Sequence, residues 1–270
     1  MAARIERPFL FVLVLAAVVT VSGDARAAPL DAALYRAGAF VTGQGEVERA
    51  RGFALALDEV LVKVSGDPSL PNDPRLKPLE ADAARLVARF DYHDRMSGIP
   101  VHDEQGTRDR PFDLTVSFDP AGIDGALRAL GRKAWAAPRP KLVVLLQIKD
   151  AAVTYTLASD GEHGLGQRLS LAAAAEQRGV PIVLPTTAAL AGSGPGRGDG
   201  SARAARLGGD FALTGALVWQ GRGWQARWRL VRHGVRYRWG SDAVSFDDAF
   251  RRAMDGALQI LSGHGRPSAP

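Results

Sequence analysis

Residues 141–148, KLVVLLQI, form a continuous apolar run that limits the folds open to this chain. A run of this length suits a strand that is buried on both faces of a sheet. Helical and strand patterns then alternate to the C-terminus, with helices predicted at 166–179, 202–209 and 245–263 and strands at 180–185, 210–219, 224–233 and 237–244. This order predicts a mixed sheet with helices packed on it.

The first half of the chain opens with a strand pattern at 34–43 and a long helical pattern at 45–66. Apolar residues recur three and four positions apart in the second pattern, which is the spacing of one face of an amphipathic helix. These positions are Val47, Ala50, Ala54, Leu57, Leu61 and Val64. Gly66 follows directly and predicts the end of the helix.

The rest of the first half alternates between loop, helix and strand. Residues 67–78 contain four prolines and predict a loop, and 79–90 predict a short helix that runs into a strand near Phe90. Residues 110–119 have a strand pattern. Asp119 and Pro120 then predict a helix start at 121–131, because aspartate caps helices and proline suits the first turn.

A proline-rich segment at 135–140, WAAPRP, predicts the boundary between two units, since each proline restricts the residue before it to extended geometry. We therefore predict two small α/β domains, at 28–137 and 138–264, with a tail at 265–270. The fold class is α+β or α/β, and the second domain carries the mixed sheet.

The N-terminus has the three parts of a secretory signal peptide. Arg4 and Arg7 precede an apolar run at 9–21, and Ala25 and Ala27 occupy the positions that a signal peptidase reads. The run is shorter than the roughly 20 residues of a spanning helix. We expect residues 1–27 to be removed and the mature protein to be periplasmic, without an integral membrane segment. The alternative is an uncleaved N-terminal anchor.

The chain contains no cysteine, which excludes thiol catalysis, disulfides and cysteine–zinc sites. A glycine-rich stretch at 190–217 raises the question of a phosphate site. Its glycines alternate strictly, and Arg197 occupies the position of the third glycine in a dinucleotide fingerprint. No Gly-Lys-Ser or Gly-Lys-Thr is present. We interpret 191–201 as a flexible loop and expect no cofactor.

Histidines and carboxylates cluster between residues 91 and 109. The candidate ligands are Asp91, His93, Asp94, His102, Asp103, Glu104 and Asp109. Their spacing matches none of the common zinc patterns, so we expect no metal site. No G-x-S-x-G motif marks a nucleophile, and we expect no catalytic residues. A periplasmic hydrolase whose residues meet only in three dimensions remains an alternative.

The most distinctive stretch is 217–239, where aromatic residues alternate with arginines. Alternation along a strand places Trp224, Ala226, Trp228 and Leu230 on one face and Arg227 and Arg229 on the other. In the next strand, Tyr237 and Trp239 are opposite to Arg236 and Arg238. These four arginines are the predicted partner-binding residues. Because we expect export, nucleic acid is not the predicted partner. The alternative interpretation is a packed sheet whose arginines only face water.

Several short motifs together resemble the bacterial envelope family called domain of unknown function 2066. They are YRAGAFVTG, VLVKVSGDP, SFDP, Trp135 before RPKLVVLL, RGVPIVLP, FALTGAL and the spaced Trp224 and Trp228. The resemblance covers residues 34–262 and implies no catalytic residues. The second half is also similar to TolB N-terminal, curli-secretion and penicillin-binding-protein activator domains, which implies by fold analogy a sheet that docks other proteins.

We therefore expect an exported, non-catalytic protein that binds another cell-envelope component, as an adapter or assembly factor. The alternatives are a binder of anionic lipid or glycan through the arginines, and a periplasmic hydrolase.

Overall fold

A computed structural model describes residues 32–98, 102–103, 106–107, 110–135, 137–194 and 200–268. The predicted signal peptide and its cleavage site lie outside these residues. The helices described are α1 (Glu46–Ser65), α2 (Leu76–Ala81), α3 (Pro120–Ala129), α4 (Leu165–Gln177), α5 (Thr187–Gly192), α6 (Ser201–Arg206) and α7 (Phe246–Ser262). The strands described are β1 (Arg36–Thr42), β2 (Val87–Asp94), β3 (His102–Asp103), β4 (Gly106–Thr107), β5 (Pro111–Phe118), β6 (Leu142–Lys149), β7 (Thr154–Thr156), β8 (Ile182–Val183), β9 (Phe211–Trp219), β10 (Trp224–Arg232) and β11 (Val235–Val244). Within the described residues, no helix is both long and apolar enough to cross a membrane.

The first half is a three-stranded antiparallel sheet, β1-β5-β2, with α1 packed on it. The helix predicted at 45–66 is confirmed as α1. Gly66 follows its last residue and has a left-handed conformation, with a φ of 75°. The predicted apolar stripe is partly wrong, because Val47 is 82% exposed. Ala50 is exposed as well, and the buried stripe is centred on Phe53, Leu57 and Val60.

The helix predicted at 79–90 is also partly wrong. A single turn of 3-10 helix at Ala83–Leu86 follows the short α2, and strand β2 begins at Val87. Phe90 packs edge-on against Phe53 and against Tyr92 of the same strand, with ring centroids 5.2 and 5.8 Å apart. Pairing with β5 and this aromatic packing override the helical pattern of the segment.

Asp58 of α1 faces Glu80 of α2, and its Oδ1 is buried without a hydrogen-bond partner among the described residues. Burial, with the negative charge of Glu80 second, raises the pKa of Asp58 to about 6. In the unfolded chain, the pKa of Asp58 is near 3.9. The folded state therefore binds the proton more tightly, and this contribution to stability is lost as pH rises from about 4 to about 6.

We expect Asp58→Asn to stabilise the protein by about 1–2 kcal/mol at pH 7, where the variant avoids the cost of ionising Asp58. At pH 4 the difference should nearly vanish. Urea unfolding at both pH values measures it. An equal effect of Asp58→Asn at the two pH values would contradict this account.

The second half is a six-stranded sheet with the order β11-β10-β9-β6-β7, and β8 pairs with the same strand β6. β6 is parallel to β8 and β9 and antiparallel to β7, so the sheet is mixed, as predicted. Helices α4 and α7 pack together under the inner face. Sequence reasoning missed β7, which has three residues, and α5.

Two tryptophans of this sheet pack against glycines. A Cβ on Gly215 would lie 2.4 Å from the Trp228 ring, and a Cβ on Gly256 of α7 would lie 2.5 Å from the Trp239 ring. Trp239 Nε1 also donates to the Arg252 carbonyl over 3.0 Å. Gly256 lets α7 approach Trp239 closely, and Gly215 leaves room for the Trp228 ring over the neighbouring strand β9.

We expect Gly256→Ala to destabilise the protein by about 1–2 kcal/mol, because overlap with Trp239 outweighs the better helix propensity of alanine. Gly125→Ala is the matched control. It also lies within a helix, and its new Cβ would meet only the flexible Arg128 side chain, at 3.8 Å. The control should be neutral or stabilising in thermal unfolding. Equal melting temperatures for the two variants would refute this packing argument.

The two sheets are joined at the end of α1. The Val64 carbonyl accepts from Trp135 N over 2.8 Å, and the Gly66 carbonyl accepts from Ser262 Oγ over 2.7 Å. Arg139 stacks on Trp135 and donates to the carbonyls of Gly179 and Lys63. Burial lowers the pKa of Arg139 to about 10. The exact domain limits, 28–137 and 138–264, stay a prediction.

Candidate binding face

The outer face of the second sheet is built from four strands in register. β6 and β9 align Leu145 with Thr214, and β9 and β10 align Thr214 with Arg229. β10 and β11 then align Arg229 with Arg238. Because paired residues point to the same side, this row crosses all four of these strands. The predicted alternation is confirmed, since Trp224, Ala226, Trp228 and Leu230 are buried on the opposite side.

One end of this outer face is covered and the other is open. Helix α6 buries Ala204 against Val143 and Ala212, which forms a small apolar cluster. Away from this cluster, polar side chains of β6, β10 and β11 lie on the outer face instead. We call this region the basic face, and it consists of Lys149, Gln225, Arg227, Arg229, Arg236, Arg238 and Asp242.

Arg227 is neutralised within the basic face. Its Nη1 lies 2.8 Å from Asp242 Oδ1, and it also donates to the Ser241 carbonyl over 3.2 Å. Gln225 donates to the same carboxylate over 3.0 Å. These contacts, Arg227 first, hold the pKa of Asp242 below its usual range. Arg227 is therefore a poorer candidate for binding a partner than the sequence suggested.

The other three predicted arginines have no carboxylate partner among the described residues. Arg229 donates through Nε to Thr214 Oγ1 over 3.2 Å, which fixes its guanidinium above the sheet. Arg238 of β11 is paired with Arg229 of β10. Arg236 precedes Arg238 by two residues on β11. Like charges opposite each other destabilise a sheet, and a bound anion would relieve that repulsion.

A shallow groove of about 370 Å³ lies at the centre of this arrangement. It is bordered by Thr214, Gly215, Arg227, Arg229 and Arg238, together with Trp228 and Trp239. Guanidinium groups bind carboxylate or phosphate oxygens in pairs, through two parallel hydrogen bonds. The basic face therefore presents the groups that anion recognition on a flat surface requires.

The glycine-rich loop lies between two short helices. It follows helix α5, whereas a dinucleotide-binding loop follows a strand. On its two sides, Arg203 and Arg206 of α6 donate to Oγ and O of Ser193, over 3.0 and 2.9 Å. Residues 195–199, including Arg197, lie outside the described residues.

The candidate metal ligands separate where the structure describes them. Asp91 and His93 lie on the outer side of β2, and Asp94 forms an ion pair of 2.8 Å with Arg110. The other candidates, His102, Asp103, Glu104 and Asp109, have side chains outside the described part. Among the described residues, no group of three or more metal-binding side chains is present.

A serine–histidine contact lies at the C-terminal end of α7. Ser262 Oγ lies 2.8 Å from His264 Nδ1. The same Oγ donates to the Gly66 carbonyl, so its proton is directed away from the histidine. The pair therefore joins α7 to the end of α1, and its geometry is not that of a nucleophile and its base.

Comparison with known proteins gives one match. Residues 28–136 of the 270 match the family described as Domain of unknown function (DUF8605). No curated protein and no solved structure matches the chain. An uncharacterised domain is therefore confirmed for these residues, but the matching family is not the domain of unknown function 2066 family that the motifs resemble. The matched residues include the first sheet, and the basic face lies outside them.

Proposed function

We propose that this chain is an exported, non-catalytic protein of the cell envelope that binds another envelope protein through its basic face. The single observation that carries the proposal is the open end of the outer sheet face. There Arg229, Arg236 and Arg238 lie together without carboxylate partners among the described residues. Such a surface suits a partner that presents acidic side chains.

Export rests on the sequence of residues 1–27, which has the parts of a signal peptide. We propose cleavage after Ala27 and a periplasmic location. The resemblance to the domain of unknown function 2066 family, and the likeness of the second half to TolB N-terminal and curli-secretion domains, support an envelope role by analogy alone.

An anionic lipid or glycan is the second candidate ligand. Arg229 and Arg238 are paired on neighbouring strands, so both side chains lie on the same open surface. That pairing also suits phosphate or a glycan carboxylate. A protein partner is favoured because the groove is shallow and Arg236 extends the basic face beyond it.

Crosslinking in living cells tests the proposal. The tagged full-length chain is crosslinked, purified under denaturing conditions, and the captured material identified by mass spectrometry. We expect one reproducible envelope protein and a mature form that begins at Ala28. Capture of no envelope protein, with binding to phosphatidylglycerol vesicles instead, would replace the protein partner by lipid.

A further inference from the structure

We propose that the partner binds as an acidic, extended segment that adds a seventh strand to the free edge of β11. This inference rests on the proposed function and names the partner's chemistry. Within the described residues, β11 pairs only with β10 and lies at the end of the sheet order. It spans Val235–Val244, which is longer than most strands and leaves a long edge for pairing.

The hairpin geometry determines which backbone groups face outward. His233 and Gly234 form a two-residue turn with φ values of 49° and 76°, between the paired Arg232 and Val235. In such a hairpin the residues that flank the turn exchange hydrogen bonds, and bonded and non-bonded pairs then alternate. The N–H and C=O groups of Arg236, Arg238 and Gly240 therefore point away from β10.

The edge of β1 shows how this chain protects a strand that is not meant to pair. Glu48 accepts from the outward N–H of Thr42 over 3.0 Å. Arg51 and Lys63 donate to the outward carbonyls of Phe40 and Arg36, over 3.1 and 2.8 Å. Side chains of α1 thus occupy the edge. Among the described residues, no hydrogen bond reaches the outward groups of Arg236, Arg238 or Gly240.

The surroundings of the β11 edge define the ligand. A groove of about 590 Å³ runs beside Trp239 and Gly240 and continues along α7. Arg236 and Arg238 flank the edge on the basic face, and Arg252 is exposed on α7. These three cations have no carboxylate partner among the described residues. The other charges in the groove are paired, Arg251 with Asp248 and Arg178 with Asp255.

Charge also distinguishes two candidates for the added strand, a second copy of this chain and an acidic segment of another protein. A second copy of this chain would place its own Arg236 and Arg238 beside the same arginines, and like charges on neighbouring strands repel. A segment with alternating acidic residues would place a carboxylate next to each arginine. The free edge supplies backbone hydrogen bonds, and the arginines select the sequence.

The test uses a capped peptide of about eight residues in which glutamate and threonine alternate. A peptide with the same residues in two blocks is the control. Amide hydrogen exchange followed by NMR should show new protection at Arg236, Arg238 and Gly240 with the alternating peptide. Arg236→Pro, which removes an outward N–H, should weaken binding about tenfold more than Arg236→Ala, which removes only the side chain.

Four results would overturn the inference. Equal affinities of Arg236→Pro and Arg236→Ala would mean that the arginine side chains alone bind anions, which leaves the proposed function intact. Protection of the edge without peptide, growing with protein concentration, would mean that copies pair. Equal binding of both peptides would mean that the ligand need not have the alternating pattern of a strand. No binding of either peptide would exclude an acidic strand at this edge.

Discussion

Trp228→Ala should destabilise the protein by about 3–5 kcal/mol, the largest stability effect that we expect from one substitution. Trp228 is 2% exposed and lies at the centre of the second sheet. Its ring contacts Gly215 closely and lies 6.1 Å from the Phe250 ring of α7, centroid to centroid. The truncation leaves a cavity between sheet and helix that neither side can close without moving.

Urea unfolding measures this loss as a lower midpoint. Trp219→Ala is the matched control, because Trp219 lies on the neighbouring strand but is 36% exposed. The control should cost about 1 kcal/mol or less. If both substitutions lowered the midpoint equally, Trp228 would not be the centre of this core.

Reversing Arg229 and Arg238 together to glutamate should lower partner capture at least about tenfold while leaving the protein folded. Each reversal replaces an attraction to an acidic partner by a repulsion, and about 1.4 kcal/mol suffices for a tenfold change. The two side chains lie on the open face, so stability should change by only about 1 kcal/mol. The amount of crosslinked partner, normalised to the protein level, measures the effect.

The control for charge is the pair Arg128→Glu and Lys133→Glu. Both residues are exposed in the first half, and their reversal changes the net charge by the same amount. Capture should stay at the level of the unaltered protein. Loss of capture in both double variants would mean that overall charge, and not the basic face, controls binding.

Short-range patterns of the sequence predicted much of this fold. Asp119 Oδ2 accepts from Gly122 N over 2.8 Å, as its position before a proline indicated. Ser245 Oγ accepts from Asp248 N over 3.0 Å at the start of α7, where the helical pattern begins. The buried strand β6 and the alternating faces of β10 are confirmed. These features depend on neighbours within a few residues, so the local sequence contains them.

The features that sequence reasoning missed depend on distant partners. The sequence of strand β2 begins within a helical pattern, and its pairing with β5 makes it a strand. The Arg227–Asp242 pair joins two strands across a bulge, so spacing along one strand could not reveal it. The contact of Ser262 with Gly66 spans nearly the whole described chain. The coverage of one end of the outer face by α6 depends on where the chain returns after the glycine-rich loop.

The most direct test of the central claim is site-specific photo-crosslinking in living cells. A photoreactive amino acid replaces Lys149 or Gln225, which lie in one cross-strand row of the basic face, or Arg128 in the first half as a control. We predict that one envelope protein is captured from the first two positions and not from the third. Capture from position 128 alone, or equally from all three positions, would contradict binding through the basic face.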